Sequence, residues 1–85
     1  MKYLIFGGCG FLGSNLADDV LSRGETLCIY DDLSKGGSVA NLNWLQERYE
    51  FEFIDDDIRS ASTTENVVRL FHPDVIIHLA GITSH

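Results

Sequence analysis

Apolar residues occur along this chain in short runs, separated by longer stretches in which they recur at helical spacing. The short runs are rich in branched and aromatic residues and are typical of buried strands, whereas spacings of three and four residues predict amphipathic helices. We therefore predict strands over about 2–6, 27–31, 51–55 and 75–79, and helices over about 11–23, 38–47 and 62–72.

Regular alternation of strand and helix predicts an α/β fold with a parallel sheet. Right-handed crossovers would place the strands in the order 3-2-1-4 with flanking helices, which is the N-terminal part of a Rossmann doubly wound parallel sheet. The strand order reverses between the first and fourth strands. Ligands of open α/β sheets bind at such a point, at the carboxyl ends of the strands.

Several residues indicate where the helices end and which face they bury. Gly24 is placed to end the first helix, and the segment 62–65, which reads STTE, has the spacing of a capping box for the third. Val67, Leu70 and Phe71 are predicted to form the inner face of that third helix.

Glycines cluster directly after the first apolar run, in the segment 7–13, which reads GGCGFLG. Their spacing fits two registers, G-x-G-x-x-G from Gly8 and G-x-x-G-x-x-G from Gly7, and Gly10 and Gly13 serve in both. Glycine lets a ligand approach the backbone closely, and the start of the next helix presents unpaired N–H groups at its positive dipole end. A pyrophosphate laid across this loop would meet donors without a lysine.

Asp31 follows the second apolar run and is predicted to reach the same edge of the sheet as the glycines. Its carboxylate can accept hydrogen bonds from the hydroxyls of an adenosine ribose and would repel a 2′-phosphate. Strand, glycine loop, helix and acidic strand end therefore predict a dinucleotide site that favours NAD over NADP. A purely structural glycine turn leaves the placement of Asp31 unexplained, and S-adenosylmethionine or FAD is an open alternative because both also use an acidic ribose ligand.

Length and charge limit the other possibilities. The chain has 85 residues and a net charge of −7, so it permits at most one domain, and we predict no nucleic acid and no anionic membrane as partners. No apolar stretch approaches the roughly 20 residues of a membrane span, and the first apolar run is too short for a signal peptide, so we expect a cytoplasmic protein.

Other reactive side chains have simpler interpretations. Cys9, near a helix start, could favour its thiolate, but a role as loop filler is the preferred reading, and Cys28 is expected to be a buried strand residue. The adjacent carboxylates at 55–57 would point in different directions, so no metal site is predicted. His72 and His78 have no nucleophile at a suitable spacing, so no catalytic role is assigned to them.

The segments 10–13, GFLG, and 78–81, HLAG, resemble the extended short-chain dehydrogenase/reductase superfamily. Within it, the chain resembles the NAD-dependent epimerase/dehydratase family that acts on nucleotide sugars, and the resemblance covers essentially its whole length. The run 37–45 and the segments 51–53 and 57–59 look most like a branch of sugar 2-epimerases in that family.

This resemblance implies that NAD is the cofactor and that the backbone N–H groups of Phe11 and Leu12 bind its pyrophosphate. It implies that Asp31 holds the adenosine ribose, that residues 57–58 flank the adenine, and that residues 78–81 lie along the cofactor. The chain departs from the family at Asp32, where asparagine is common, and this adds negative charge near the ribose. The predicted cofactor-binding residues are Gly7, Gly10, Phe11, Leu12, Gly13, Asp31, Asp32, Ser34, Asp57, Ile58, Leu79, Ala80 and Gly81.

The family's catalytic pair is a tyrosine followed four residues later by a lysine, and none of the three tyrosines in this chain has a lysine at that distance. We therefore predict no catalytic residue here, and expect residues 1–85 to be the NAD-binding portion of a longer enzyme, truncated before its substrate domain. The resemblance implies that the full-length enzyme epimerises a nucleotide sugar by transient hydride transfer to NAD. A stand-alone, non-catalytic module that binds NAD or an adenine nucleotide is the alternative.

The last predicted strand, with Val75, Ile76 and Ile77, should lie at an edge of the sheet. An exposed apolar edge strand invites pairing with another chain. Self-association is therefore expected.

Overall fold

The computed structural model describes residues 1–57 and 59–79 and contains a four-stranded sheet with helices on both faces. Every described boundary lies within about one residue of its prediction. No helix in these two ranges has the length and apolar content needed to cross a membrane. The elements are β1 (Lys2–Phe6), α1 (Phe11–Ser22), β2 (Thr26–Asp31), α2 (Ser38–Arg48), β3 (Glu52–Asp55), α3 (Ala61–Phe71) and β4 (Val75–His78).

The strands are parallel and lie in the order β3-β2-β1-β4, so the predicted fold class and strand order are confirmed. Phe6 near the end of β1 lies opposite Tyr30 in β2 and His78 in β4, and Asp31 lies opposite Asp55 in β3. The carboxyl ends of all four strands therefore reach one edge of the sheet. The loops that follow them converge there.

The central strands β1 and β2 are buried on both faces. Ile5, Leu27 and Ile29 pack against α1 and α2 in one apolar layer, and all three are at most 1% exposed. Leu4 and Cys28, both fully buried, lie in a second layer that includes residues of α3. Burial on both faces explains why these strands read as continuous apolar runs rather than as alternating patterns.

The layer under α3 is thinner than the layer under α1 and α2. Val67 is buried and Val68 and Phe71 pack partly against the sheet, but Leu70 is 77% exposed, so its predicted place on the inner face was wrong. Successive helical residues are about 100° apart, so a stripe through 67, 68 and 71 leaves residue 70 beyond its margin. One edge of α3 therefore remains apolar and open.

The helix ends confirm one expectation and correct another. Gly24, with φ of +80°, follows the end of α1 and donates its N–H to Leu21 O at 3.0 Å, as a terminating glycine does. The capping box predicted at 62–65 was wrong, because α3 begins at Ala61. Ser60 is the capping position, and its carbonyl already accepts the N–H of Thr64 at 3.0 Å.

Candidate functional site

A cavity of about 460 Å³ opens at the carboxyl ends of the strands, where the strand order reverses. Its volume lies in the range of small-molecule and cofactor sites. All of the predicted cofactor-binding residues that the structure describes contribute to it, whereas Ile58, Ala80 and Gly81 lie outside the described residues. It is lined by Gly7, Gly10, Phe11, Leu12, Gly13, Tyr30, Asp31, Asp32, Ser34, Lys35, Asp56, Asp57, Arg59 and Leu79.

Two glycines of the loop between β1 and α1, and a third in the first turn of α1, are required by the fold itself. Gly7 has φ of +84°, a left-handed conformation that other residues rarely adopt. A Cβ at Gly13 would lie 2.4 Å from Gly7 O, and one at Gly8 would lie 2.7 Å from Cγ2 of Ile29. The loop is therefore in direct contact with the first turn of α1 on one side and with β2 on the other.

Gly10 differs from these three glycines. The nearest protein atom to a Cβ at this position would be Gly7 O, at an ordinary contact distance of 3.7 Å. Packing of the protein alone therefore does not require glycine here. Because Gly10 lines the cavity, the absence of a side chain leaves its backbone open to a ligand, as a phosphate-binding loop needs.

The start of α1 supplies hydrogen-bond donors to the cavity. The first hydrogen bond of the helix runs from Ser14 N–H to Gly10 O at 2.8 Å, so the N–H groups of residues 11–13 precede the helical ladder. Gly10 is the capping residue, and no side chain caps this end. The exposed Phe11 and Leu12 bring these donors to the cavity wall, where the positive end of the helix dipole favours an anion.

Asp31, at the end of β2, connects the two loops beside the cavity. Its Oδ2 accepts the N–H of Cys9 at 2.9 Å, and its Oδ1 accepts the N–H of Leu33 at 2.8 Å. Each carboxylate oxygen can accept a further bond, so the half-buried carboxylate can also receive ribose hydroxyls. The tie between the loops was missed by sequence reasoning, which assigned Asp31 only a ligand.

Asp32 and Ser34 form a local turn at the cavity rim. Asp32 Oδ1 accepts the N–H of Ser34 at 3.0 Å. Hydrogen bonds from the Ser34 side chain and backbone hold the pKa of the Asp32 carboxyl below its ordinary value. The extra charge at the position where the family commonly has asparagine is therefore stabilised within the loop.

The wall formed by the residues after β3 contains two contacts that sequence reasoning missed. The Tyr30 hydroxyl donates to Asp57 O at 2.9 Å and joins β2 to this loop. Arg59 Nη2 lies 2.6 Å from Asp57 Oδ2, and the hydrogen bonds from Arg59 lower the pKa of the Asp57 carboxyl to about 2. The carboxylate therefore faces the cavity as a paired anion. Lys35 and Asp56 also line the cavity and were not predicted.

The two cysteines are structural. Cys9 and Cys28 are fully buried and free, and burial, followed by nearby carboxylates, raises the pKa of Cys9 to about 12 and that of Cys28 to about 11. At Cys9, burial outweighs any effect of the helix start, so the reactive-thiolate alternative is wrong. In the described part of the chain, no three His, Cys, Asp or Glu side chains are grouped to hold a metal ion.

A parallel sheet in this order, with a glycine loop leading into α1, defines a Rossmann-type α/β domain. The sequence profile of the family described as GDP-mannose 4,6 dehydratase matches residues 4–85. The chain belongs to this family, which confirms the resemblance to nucleotide-sugar epimerases and dehydratases inferred from the sequence.

Two relatives from bacteria illustrate the similarity. The chain is 48% identical over 81 residues to CDP-paratose 2-epimerase of Salmonella typhi and 40% identical over 81 residues to UDP-glucose 4-epimerase of Mycolicibacterium smegmatis. Each alignment covers 95% of this chain but only 24% and 25% of the respective relative, so the chain spans about a quarter of their length. The first belongs to the branch indicated by the sequence, that of CDP-tyvelose (CDP-paratose) 2-epimerase.

Solved structures agree in fold. The chain superposes on UDP-glucose 4-epimerase of Thermotoga maritima, solved with UDP-glucose, with a TM-score of 0.81 and 32% identity. It superposes on dTDP-glucose 4,6-dehydratase of Bacillus anthracis, solved in complex with NAD, with a TM-score of 0.82 and 27% identity. These superpositions cover 94% of this chain, and 24% and 26% of the respective neighbour.

Proposed function

We propose that this chain binds the ADP half of NAD, as the N-terminal NAD-binding portion of a nucleotide-sugar epimerase or dehydratase. One observation carries the proposal: the N–H groups at the start of α1 and the Asp31 carboxylate line the same cavity, where the strand order reverses. Donors for a pyrophosphate and an acceptor for a ribose are thereby available to one ligand.

In this proposal the pyrophosphate lies against Gly10 and receives hydrogen bonds from the backbone N–H groups of Phe11 and Leu12. Asp31 accepts hydrogen bonds from the adenosine ribose, and Asp57 lies beside the adenine together with residue 58. Residues 79–81 would follow the cofactor toward its nicotinamide end. These donors fit an anionic ligand because they are backbone N–H groups. Such groups do not ionise, so they carry the same partial positive charge across the ordinary pH range.

The negative charges of Asp31 and Asp32 favour NAD over NADP. Asp31 and Asp32 lie together in the cavity wall near the proposed ribose, where a 2′-phosphate would meet two carboxylates. The guanidinium of Arg59, which also lines the cavity, is paired with Asp57. Repulsion from the carboxylates therefore acts against the phosphate of NADP.

For the full-length protein we propose epimerisation of a nucleotide sugar, and the 48% identity to CDP-paratose 2-epimerase supports that branch of the family. NAD, when bound, would accept a hydride from a sugar carbon and return it. The 85 residues contain no tyrosine followed four residues later by a lysine, so we assign to them cofactor binding and no proton transfer. We propose a cytoplasmic location, which the two free, buried thiols support.

Calorimetric titration of the protein with NAD, NADP, ADP and S-adenosylmethionine tests this proposal. NAD and ADP should bind. Because the carboxylates repel a 2′-phosphate, NADP should bind at least about tenfold more weakly, which corresponds to about 1.4 kcal/mol. Asp31→Ala should abolish measurable binding of NAD and ADP. Glu47→Ala removes a negative charge from the exposed part of α2 and is the matched control that should bind as the unmodified protein does.

Three results would contradict the proposal. Equal affinity for NAD and NADP would overturn the assigned ribose position, and tighter binding of S-adenosylmethionine would assign the site to a different ligand. Absence of binding by a protein whose circular dichroism shows the expected helices would leave the glycine loop with a structural role only.

We also propose that the outer edge of β4 pairs with a second copy of the chain. Among the described residues β4 pairs only with β1, and Ile76 on this strand is 50% exposed. An unpaired apolar edge is a template for strand addition. Analytical ultracentrifugation should show concentration-dependent association that Ile76→Lys weakens, and a stable monomer at high concentration would contradict the proposal.

A further inference from the structure

Asn41, in the first turn of α2, makes a long-range contact with the glycine loop. Its side-chain Nδ2 donates to the backbone carbonyl of Cys9 at 2.8 Å, across 32 positions of sequence. On the other side of the same residue, the N–H of Cys9 donates to Asp31 Oδ2 at 2.9 Å. The backbone of Cys9 is therefore held from both sides, by β2 through Asp31 and by α2 through Asn41.

Holding this carbonyl also orients the next N–H group. The described peptide bonds are trans, so the Cys9 carbonyl and the Gly10 N–H point in opposite directions from one rigid plane. The Gly10 N–H itself makes only a long hydrogen bond, 3.4 Å, to Gly7 O. The hydrogen bond from Asn41 is therefore shorter than the one within the loop, and it is the better restraint on the peptide plane that leads into Gly10, the capping residue of α1.

The element that carries Asn41 is rigid. The next residue, Leu42, and Leu45 one turn later are buried in the same apolar cluster as Ala17 of α1. The N–H of Asn41 donates to Gly37 O at 3.0 Å and is the first hydrogen bond of α2. The side-chain donor is therefore placed by packed helix backbone and not by a mobile loop.

We infer that Asn41 is a positioning residue for the pyrophosphate subsite: it holds the Cys9–Gly10 peptide, and through it the start of α1, in the orientation that presents the helix-start N–H groups to a diphosphate. The inference rests on the proposed function, which assigns a pyrophosphate to these donors. Without the hydrogen bond from Asn41, the three flexible glycines around Cys9 would sample other orientations, and ordering them would oppose diphosphate binding.

The test compares substitutions at Asn41 with the same substitutions at Asn43, which is exposed on the same helix. Asn41→Ala removes the donor, and Asn41→Asp removes it while adding a charge that Asn43→Asp also adds. Affinity for ADP should fall about three- to tenfold in Asn41→Ala, the equivalent of one hydrogen bond, and further in Asn41→Asp. Affinity for adenosine should stay within about twofold of that of the unmodified protein, a change of well under 1 kcal/mol, because adenosine lacks the diphosphate.

A second measurement needs no ligand. Amide resonances of Cys9 and Gly10 in the unliganded protein should shift in both Asn41 variants and stay in place in the Asn43 variants. If the unmodified protein binds neither NAD nor ADP, the proposed function fails, and the inference fails with it even if these resonances shift. If the protein binds ADP but Asn41→Ala does not weaken that binding, only the inference fails.

Two further results overturn the inference while leaving the proposed function intact. Equal losses for ADP and adenosine would mean that Asn41 acts on the ribose site or on the fold as a whole. Unchanged loop resonances and unchanged ADP affinity in Asn41→Ala would mean that the contact does not position the loop. Alanine is a good helix former at this position, so this variant should fold even where the aspartate variant does not.

Discussion

The two central strands of this sheet and the edge strand β4 differ sharply in burial. Leu4 and Ile5 of β1 are fully buried between helices on both faces, whereas Ile76 of β4 is 50% exposed. The glycine loop follows β1, and Asp31 ends β2. The features that need the most precise placement in the candidate site are therefore attached to the most rigid strands.

The residues contributed from the flanks have a different character. Asp57 follows β3 and is paired with Arg59 in an exposed ion pair, and Leu79 follows β4. Such side chains can adjust to a ligand by changing rotamer. Backbone donors at a helix start cannot do so, and their positions depend on the packing beneath them. We therefore expect stability and ligand binding to be most tightly linked around β1 and β2.

The strongest contrast in stability is expected between truncation of a side chain in a central strand and truncation of one in the edge strand β4. Leu4→Ala should lower the free energy of unfolding by about 3 kcal/mol, because it leaves a cavity in the apolar layer between the sheet and α3. Ile76→Ala, at a half-exposed position, should lower it by less than about 1 kcal/mol. Urea unfolding followed by circular dichroism measures both, and equal losses would remove the contrast between the strands.

The next effect concerns the contact between the glycine loop and α1. Gly13→Ala places a Cβ 2.4 Å from Gly7 O, so backbone must move, and we expect a loss of about 2 kcal/mol of stability together with loss of ADP binding. Gly36→Ala is the matched control, because no atom lies within 4 Å of a Cβ there. Thermal unfolding and calorimetry should separate the two variants. Similar melting temperatures would show that the loop can move to accommodate the added methyl group at little cost in stability.

A smaller effect tests the connection between the buried strands and the flank. Tyr30→Phe removes the hydroxyl that donates to Asp57 O and should cost about 1 kcal/mol, the usual contribution of one partly buried hydrogen bond. Amide hydrogen exchange should become faster after β3, while amides of β1 keep their protection. Equal loss of protection in β1 would show that the two regions unfold as one unit.

The smallest effect is electrostatic. The pKa of Asp57 is lowered from 3.8 to about 2 by Arg59, so the pair contributes stability that is fully present above pH 3.8 and is lost as the pH falls toward about 2. Arg59→Gln should return the Asp57 pKa toward its ordinary value, whereas Arg69→Gln, at an exposed position of α3, should leave it unchanged. Carboxyl titration by nuclear magnetic resonance measures this directly, and an unchanged Asp57 pKa in Arg59→Gln would contradict the assigned cause.

The elements could be predicted closely because apolar periodicity encodes them locally. The errors occurred where local signals were equivalent: Ser60 and Ser62 are both acceptable capping residues, and only the packing of α3 on the sheet selected the earlier start. The exposure of Leu70 has the same origin. A periodic pattern defines an apolar stripe, but its centre depends on what lies opposite.

The strand order, the glycine loop and the position of Asp31 at the site could be predicted without the structure, because each follows from local sequence patterns and from the handedness of crossovers. The burial of Cys9, the tie that Asp31 makes between two loops and the contact of Asn41 with the Cys9 carbonyl became visible only in the folded molecule. These contacts join residues far apart in sequence, and their existence depends on distances and burial that form only when the helices pack on the sheet.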